Sequence, residues 1–382
     1  MRVLLVQPEY YTQYPPLGLL KLSTFYRRSG CEVRFVRGRH ILLDFYPDEV
    51  DITSLFTWAW KPVWECVQFY KALYPKAKVR LGGIYTSLLP HHAKQSGADE
   101  IFVGTGNDLD EVVPDYDLVP KWKANILFTT RGCIRKCAFC AVPAIEPQKT
   151  ARKTLKDLID PKLKKLILWD NNFFGSPNWR EILAEIRELE LTVDFNQGID
   201  ARLVFEEVAE RLEGIKVNPI RMAYDSFSNG MRRAMERAIR LLSDAGFRRR
   251  KIVVYVLYNF TDSPEDFFFR VRDLLNWGVA AYPMRYEPLD SLEKNVYVAP
   301  NWTQGELEMV ADARRVIGYG GAFPPYEGLI RKFNRAQDFV DAMELRPKKR
   351  SDTFDEVDLG SELIEMGRDH EFPTGSLVPT TA

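Results

Sequence analysis

Ile126-Leu127-Phe128-Thr129-Thr130-Arg131-Gly132-Cys133-Ile134-Arg135-Lys136-Cys137-Ala138-Phe139-Cys140 is the stretch on which the reading turns. It opens on a β-rich run, Ile126 to Thr129, and passes at once into a loop with three cysteines in eight residues. Gly132 permits a tight turn off the strand, because a residue without Cβ tolerates left-handed backbone. The chain has five cysteines, an odd number. Cys31 and Cys66 stand alone, one beside an apolar strand and one in a helical pattern, and read as ordinary packing. This is not the framework of a disulfide-stapled secreted protein, and it points to metal ligation on the triplet.

On either side of the triplet, β-rich runs alternate with amphipathic stretches, the pattern of parallel α/β units. Downstream, runs at Lys165 to Trp169, Thr192 to Phe195, Ile220 to Ala223, Ile252 to Leu257 and Ala280 to Met284 are each separated by a helical segment. The helix Met231 to Ala245 is delimited by Ser228 or Asn229 before it and Gly246 after it. With Ile126 to Thr129 these make six β/α units over residues 121–288, too few for an eight-fold barrel. They predict a partial (β/α)6 barrel with an open side. Upstream, Val3 to Val6, Glu32 to Val36, Ile52 to Leu55, Val79 to Leu81 and Glu100 to Val103 predict an open five-stranded parallel, Rossmann-like domain over residues 1–120. Its helices are expected at Leu17 to Ser29, Val63 to Tyr74 and Tyr85 to Gln95. Leu109 to Pro120 reads as the linker. Beyond Pro288 the pattern turns helical (Gly305 to Ile317, Leu329 to Glu344), predicting a C-terminal extension over 289–345. Residues 346–382, charged and then small or polar, read as a disordered tail.

Lysine plus arginine (53) equals aspartate plus glutamate (53), so no overall field favours nucleic acid or an anionic membrane. Every apolar run is too short to span a bilayer, and the amino terminus leads into a strand, so the expected location is cytoplasmic with no membrane partner.

Three thiolates on one loop can ligate three irons of a cubane cluster and leave the fourth iron open to a substrate. Arg131, Arg135 and Lys136 place positive charge that favours thiolates. The reading from another class is a zinc-binding interaction module, which requires a fourth ligand. Only His91, His92 or Cys66, from the first domain, offer one.

CxxxCxxC with an aromatic residue before its last cysteine, on the first strand of a partial barrel, resembles the radical S-adenosylmethionine (SAM) superfamily over residues 124–286. The resemblance implies a 4Fe-4S cluster on Cys133, Cys137 and Cys140. It further implies reductive cleavage of SAM to a 5′-deoxyadenosyl radical and an electron donor of flavodoxin or ferredoxin type. It makes Phe139 a SAM contact. Leu168-Trp169-Asp170-Asn171-Asn172-Phe173 looks like the family's Asp-Asp-Asn-Phe segment, with Asn171 in place of an acid, and implies Asp170 and Asn172 at the SAM amino group. Arg202 stands where the family holds the SAM carboxylate. Tyr224 and Asp225 fall in the ribose segment, and Tyr258 at the adenine. Taken as plain structure, such strand-end residues are helix caps, and Asp225 lies three residues before Ser228.

Tyr14-Pro15-Pro16-Leu17-Gly18, Thr53-Ser54-Leu55-Phe56-Thr57, Leu81-Gly82-Gly83 and Val103-Gly104-Thr105-Gly106 resemble the cobalamin-binding-like domain that precedes many radical SAM methylases. This implies cobalamin contacts at Ser54, Thr57, Trp58, Gly82 and Gly83, and methylation of an unactivated carbon by a methyltransferase. The loop Gln7 to Tyr14 has no Asp-x-His-x-x-Gly, so no histidine cobalt ligand comes from it, and Trp58 and Trp60 fall where a corrin would sit. The alternative is a cobalamin-free radical SAM reaction: another SAM-derived group transfer, carbon–carbon bond formation or a rearrangement. A methylthiotransferase would carry three more cluster cysteines in its first domain. The substrate, whether small molecule, peptide or nucleic acid, is not legible; Tyr282 to Pro288 and Gly318 to Tyr326 are candidate pocket linings.

Overall fold

Runs of β-branched and aliphatic residues, buried on both faces, specify parallel strands that need helical crossovers between them. The computed structural model describes residues 1–345; the tail expected over 346–382 lies outside the described residues. The first unit runs β1 (Arg2–Gln7), α1 (Leu17–Arg28), β2 (Glu32–Arg37), β3 (Glu49–Ser54), α2 (Trp60–Leu73), β4 (Lys78–Gly83), α3 (Ile84–Leu88), α4 (Pro90–Lys94) and β5 (Glu100–Ile101). Its five strands are parallel in the order β2-β1-β3-β4-β5. The single helix expected from Tyr85 to Gln95 breaks at Leu89, with φ −127° and ψ 59°. A residue before proline is driven out of the helical region, and Pro90 then starts the next turn.

The segment Leu109 to Pro120 is no loose linker. Lys21 donates to Asp110 at 2.8 Å, Ser23 to Asp115 at 2.6 Å and Thr24 to the Val113 carbonyl at 2.7 Å, which straps the segment along α1. The Ile126 amide then donates to the Tyr116 hydroxyl at 2.7 Å. Leu17, Ala124, Ile126 and Ile167 form a small core with Tyr14, Trp122, Phe128 and Trp169 packed on it, so the two units share an apolar seam.

The second unit runs β6 (Asn125–Leu127), β7 (Thr130–Arg131), α5 (Val142–Ile145), β8 (Thr150–Ala151), β9 (Lys165–Leu168), α6 (Trp179–Glu188), β10 (Thr192–Phe195), α7 (Glu206–Leu212), β11 (Lys216–Val217), β12 (Ile220–Ala223), α8 (Asn229–Asp244), β13 (Ile252–Tyr258), α9 (Pro264–Asn276) and β14 (Ala280–Arg285). The six expected strands are all present. They form two parallel sheets, β11-β10-β9-β6 and β12-β13-β14, rather than one. β11 and β12 continue one line of chain interrupted at Asn218 and Pro219, where proline supplies no ladder donor. A parallel bridge between Ile199 and Met222 joins the two sheets. An antiparallel ribbon of β7 and β8, not expected from the sequence, flanks the cysteine loop.

The C-terminal extension consists of α10 (Gln304–Ile317), α11 (Glu327–Arg335) and α12 (Phe339–Met343). The helix expected over 329–344 is split because Asp338 accepts the Asp341 amide at 2.8 Å and starts a new helix. Phe333 and Phe339 join the core that Phe267 and Phe268 of α9 build over β13. Among the described residues no helix is long and apolar enough to cross a membrane.

Candidate functional site

The carboxyl ends of β6, β9, β10 and β12 converge around the cysteine loop, the edge where parallel sheets place chemistry. Gly132 adopts φ +71°, and a Cβ there would lie 2.7 Å from the Gln148 carbonyl oxygen. Cys133, Cys137 and Cys140 are free thiols, each partly exposed. The Arg135 amide donates to Cys133 Sγ at 3.3 Å, and the Cys140 amide donates to the Cys137 carbonyl at 3.1 Å. Burial raises the Cys137 thiol, against the pull of Arg202 and with Asp225 and Cys133 adding to the rise. Burial likewise raises Cys140, whose thiol feels both other cysteines. Among the described residues no three His, Cys, Asp or Glu side chains close into the ligand set of a single ion. Ligands of one zinc ion share a centre about 2.3 Å from each sulfur. Thiolates of an iron–sulfur cluster each bind a separate iron and stand wider apart.

The expected role of nearby positive charge is corrected. Arg131 faces away from the thiols: it donates to Asp110 at 2.7 and 2.8 Å and to Glu146 at 2.9 Å. Arg135 donates to Asp200 at 3.0 Å. The cation that lowers the Cys137 thiol is Arg202, in the short turn that follows β10.

Asp170, 3% exposed, follows β9 and accepts through Oδ1 from the Thr129 hydroxyl at 2.8 Å, the Thr130 hydroxyl at 2.7 Å and the Thr130 amide. Its Oδ2 is buried with no hydrogen-bond partner, and so is Asn172 Oδ1. Burial pushes the Asp170 carboxyl up to about 6, against the threonine donors. A buried acceptor without a donor is costly, so two such atoms at one strand end mark a place for a ligand or water.

Two carboxylates that the sequence reading did not select organise the loop. Glu146 accepts from Arg131, from the Gly132 amide at 2.7 Å and from the Asn171 carboxamide at 2.8 Å. Asp200 accepts from Arg135, from Arg202 at 2.7 and 3.1 Å and from Asn172 at 3.3 Å. Burial would raise Asp200, yet Arg202 and Arg135 hold it below the ordinary carboxylate range. Arg202 is thus bidentate on a protein carboxylate, not poised alone for a ligand's.

Asp225 is partly buried near this group. Burial pushes it up to about 6 despite Arg270 and Arg202. Tyr224 turns away: it is fully buried, stacks on Trp277 and points its hydroxyl at Asp273, 3.4 Å off. Tyr258, 2% exposed, packs on Phe267 and Trp302 in the core rather than lining a pocket with Phe139. Phe139 instead meets Phe260 edge-on at 5.7 Å, and Phe260 meets Tyr286 at 4.7 Å. Asn259, with φ +66°, turns the chain between Tyr258 and Phe260.

In the first unit the residues expected at cobalamin have protein partners. Ser54 donates to the Gly82 carbonyl at 2.8 Å. A Cβ on Gly83 would lie 2.0 Å from the Ser54 carbonyl oxygen, and one on Gly82 would touch Phe102. Trp58 stacks on Phe56 at 4.4 Å, Lys294 Nζ lies 5.4 Å from the Trp58 ring centroid, and Thr57 is buried. His92 Nδ1 is 2.6 Å from the Tyr85 hydroxyl and its ring lies against Trp60 and Trp64. Cys66 is buried, its thiol pushed up to about 12. A shallow cavity of roughly 320 Å³ opens beside β1 and β2, lined by Gln7, Pro8, Glu9, Tyr10, Tyr11, Thr12 and Arg37; none of the loop cysteines lines it.

No protein-family model matches the chain, and no curated protein does. Among solved structures, coproporphyrinogen III oxidase (HemN) from Escherichia coli, a radical SAM enzyme, is similar at 12% sequence identity with a TM-score of 0.32. The match covers 44% of this chain and 45% of that one, so the chain spans less than half of that oxidase. An overlay so partial assigns neither fold nor activity.

Proposed function

We propose that the chain is a radical SAM enzyme in which Cys133, Cys137 and Cys140 hold a 4Fe-4S cluster. The observation that carries this reading is the juxtaposition of three free thiols on one loop with two unpartnered buried acceptors, Asp170 Oδ2 and Asn172 Oδ1, at the next strand end. Those acceptors suit the ammonium of SAM, and Asp225 suits its ribose hydroxyls. Phe139 and Phe260 offer an edge-on aromatic pair for adenine, with Phe260 taking the place first expected of Tyr258. When bound, such a cluster supplies reductive cleavage of SAM, with the electron drawn from a flavodoxin- or ferredoxin-type donor. The protein's part is orientation, electrostatics and exclusion of water.

Cobalamin is not needed to explain the residues expected to hold it. Ser54, Gly83 and Trp58 are each accounted for by the carbonyl, the close strand approach and the ring beside them. The reading supported best is therefore the cobalamin-free one: another SAM-derived group transfer, carbon–carbon bond formation or a rearrangement.

Anaerobic reconstitution tests both points. About four irons per chain with brown absorbance, lost on replacing any one of the three cysteines by alanine, is the expected result. One zinc and no iron would overturn it. Hydroxocobalamin added during reconstitution should leave on gel filtration; retention at one per chain would restore methyl transfer from cobalamin.

A further inference from the structure

We propose that Glu146 and Asn171 form a carboxylate–carboxamide clamp that positions the cysteine loop against the end of β9. The clamp's function rests on the cluster reading above; its geometry does not. Glu146 ends α5, thirteen residues beyond Cys133, and its side chain is 10% exposed. Its carboxylate gathers three donors from three places: the Arg131 guanidinium, the Gly132 amide and Asn171 Nδ2. The middle donor is the amide of the residue immediately before Cys133, so the carboxylate fixes the point where the loop leaves the strand. The third donor belongs to the residue between Asp170 and Asn172, so the same carboxylate sets the loop's distance from the two unpartnered acceptors.

This explains why an amide stands at position 171. A carboxylate there would face Glu146 at hydrogen-bond range with no proton to share, whereas a carboxamide donates. Charge-assisted bonds of this kind are about twice as strong as neutral ones. The arrangement also has an outer anchor. Arg131 reaches Asp110, and Asp110 takes Lys21 of α1, so the clamp is tied to the first unit through a line of alternating charge. Glu146 and Asn171 are positioning residues, acting on the loop and not on a substrate.

The test is amide hydrogen exchange over residues 131–140 in the metal-free full chain. Four proteins are compared: wild type, Glu146→Ala, Asn171→Ala and the double variant, a cycle across the bond between the two side chains. Asn171→Ala should speed exchange in this segment by about tenfold, the fold-change for one charge-assisted hydrogen bond, and Glu146→Ala, which loses three donors, by more. The double variant should exchange little faster than Glu146→Ala alone, because that change has already removed the bond to Asn171, a non-additivity that a general loss of stability does not produce. Iron content and the electron paramagnetic resonance line shape after reconstitution give a second readout, expected to follow the same order. Unchanged exchange in either single variant, or a double variant in which the two effects simply add, overturns the clamp. If wild type takes up no iron, the cluster reading falls while exchange still decides the clamp; if wild type loads iron and the single variants exchange as it does, the clamp falls alone.

Discussion

Replacing Gly132 by alanine probes the turn on which the site depends, and the structure separates its two costs. The first is conformational: φ is +71°, where an L-residue with a Cβ costs about 1–2 kcal/mol. The second is a collision, because the new Cβ would lie 2.7 Å from the Gln148 carbonyl oxygen and 3.2 Å from that of Glu146. Backbone atoms cannot swing aside as a side-chain tip does, so relieving the contact costs about 1–3 kcal/mol. Gly214 supplies the control, with φ +77° and nothing within 4 Å of an added Cβ. Both variants share the conformational cost and the gain from a stiffer unfolded chain, so their difference isolates the collision. Urea unfolding of the metal-free protein should place Gly132→Ala below Gly214→Ala by about 1–3 kcal/mol. Loss of iron binding should be confined to the former. Equal destabilisation of the two variants, with equal iron content, would refute the claim that the packed carbonyls demand glycine at 132.

Removing the Asp200 carboxylate (Asp200→Ala) takes away an anion that raises Cys137 and frees Arg202, which lowers it. The alkylation profile of Cys137 in the metal-free protein should shift to lower pH, and an unmoved or upward-shifted profile counts against the arrangement. Asp170 and Asp225 are both raised to about 6 by burial. Because the folded state takes up these protons before the unfolded chain does, each group's contribution is fully present below about pH 4 and is lost as pH rises through about 6. Asp170→Asn and Asp225→Asn should therefore gain stability relative to wild type between those limits, measured by urea midpoints; a constant difference would dispose of the shifts. Asp194 and Arg221 form an ion pair at 5% exposure each, so Asp194→Ala should destabilise by about 3–5 kcal/mol by leaving a buried guanidinium uncompensated. A change below about 1 kcal/mol would mean that water reaches the arginine.

The strands of both units were legible because long β-branched runs have no competing reading. Thr192 to Phe195 and Ile220 to Ala223 begin and end where periodicity put them. The errors fall where a local rule was outweighed. Leu89 and Pro90 cut a helix that the apolar spacing would have continued, and Asp338 starts a helix inside another. Pro219 divides a strand series that the count of β/α units treated as continuous. Leu109 to Pro120 has linker composition, yet its Asp110 and Asp115 find Lys21, Ser23 and Arg27 about ninety residues earlier, a pairing that no window of sequence contains.

The site divides along the same line. The cysteine triplet stands out as a candidate in the sequence because spacing on one loop is a local property, and Asp170 because it follows the end of a strand. Tyr224 could have been rejected from the sequence: in an extended segment adjacent side chains face opposite ways, so a tyrosine beside an inward Asp225 turns to the helices. Phe260 was hidden by Asn259, whose left-handed backbone breaks that alternation and whose side chain is held by the Tyr297 carbonyl at 3.0 Å and the Ala299 amide at 2.8 Å. Glu146 and Asp200 were hidden for a different reason. Each looks like an ordinary surface acid in sequence, and only folding brings together donors lying 2 to 65 residues away. Cysteines name the chemistry a loop can carry, but the angle at which the loop meets the neighbouring strand ends is set by these two carboxylates. Exchanging them is therefore a sharper probe of the site than deleting a thiol, because it perturbs placement while leaving every ligand in place.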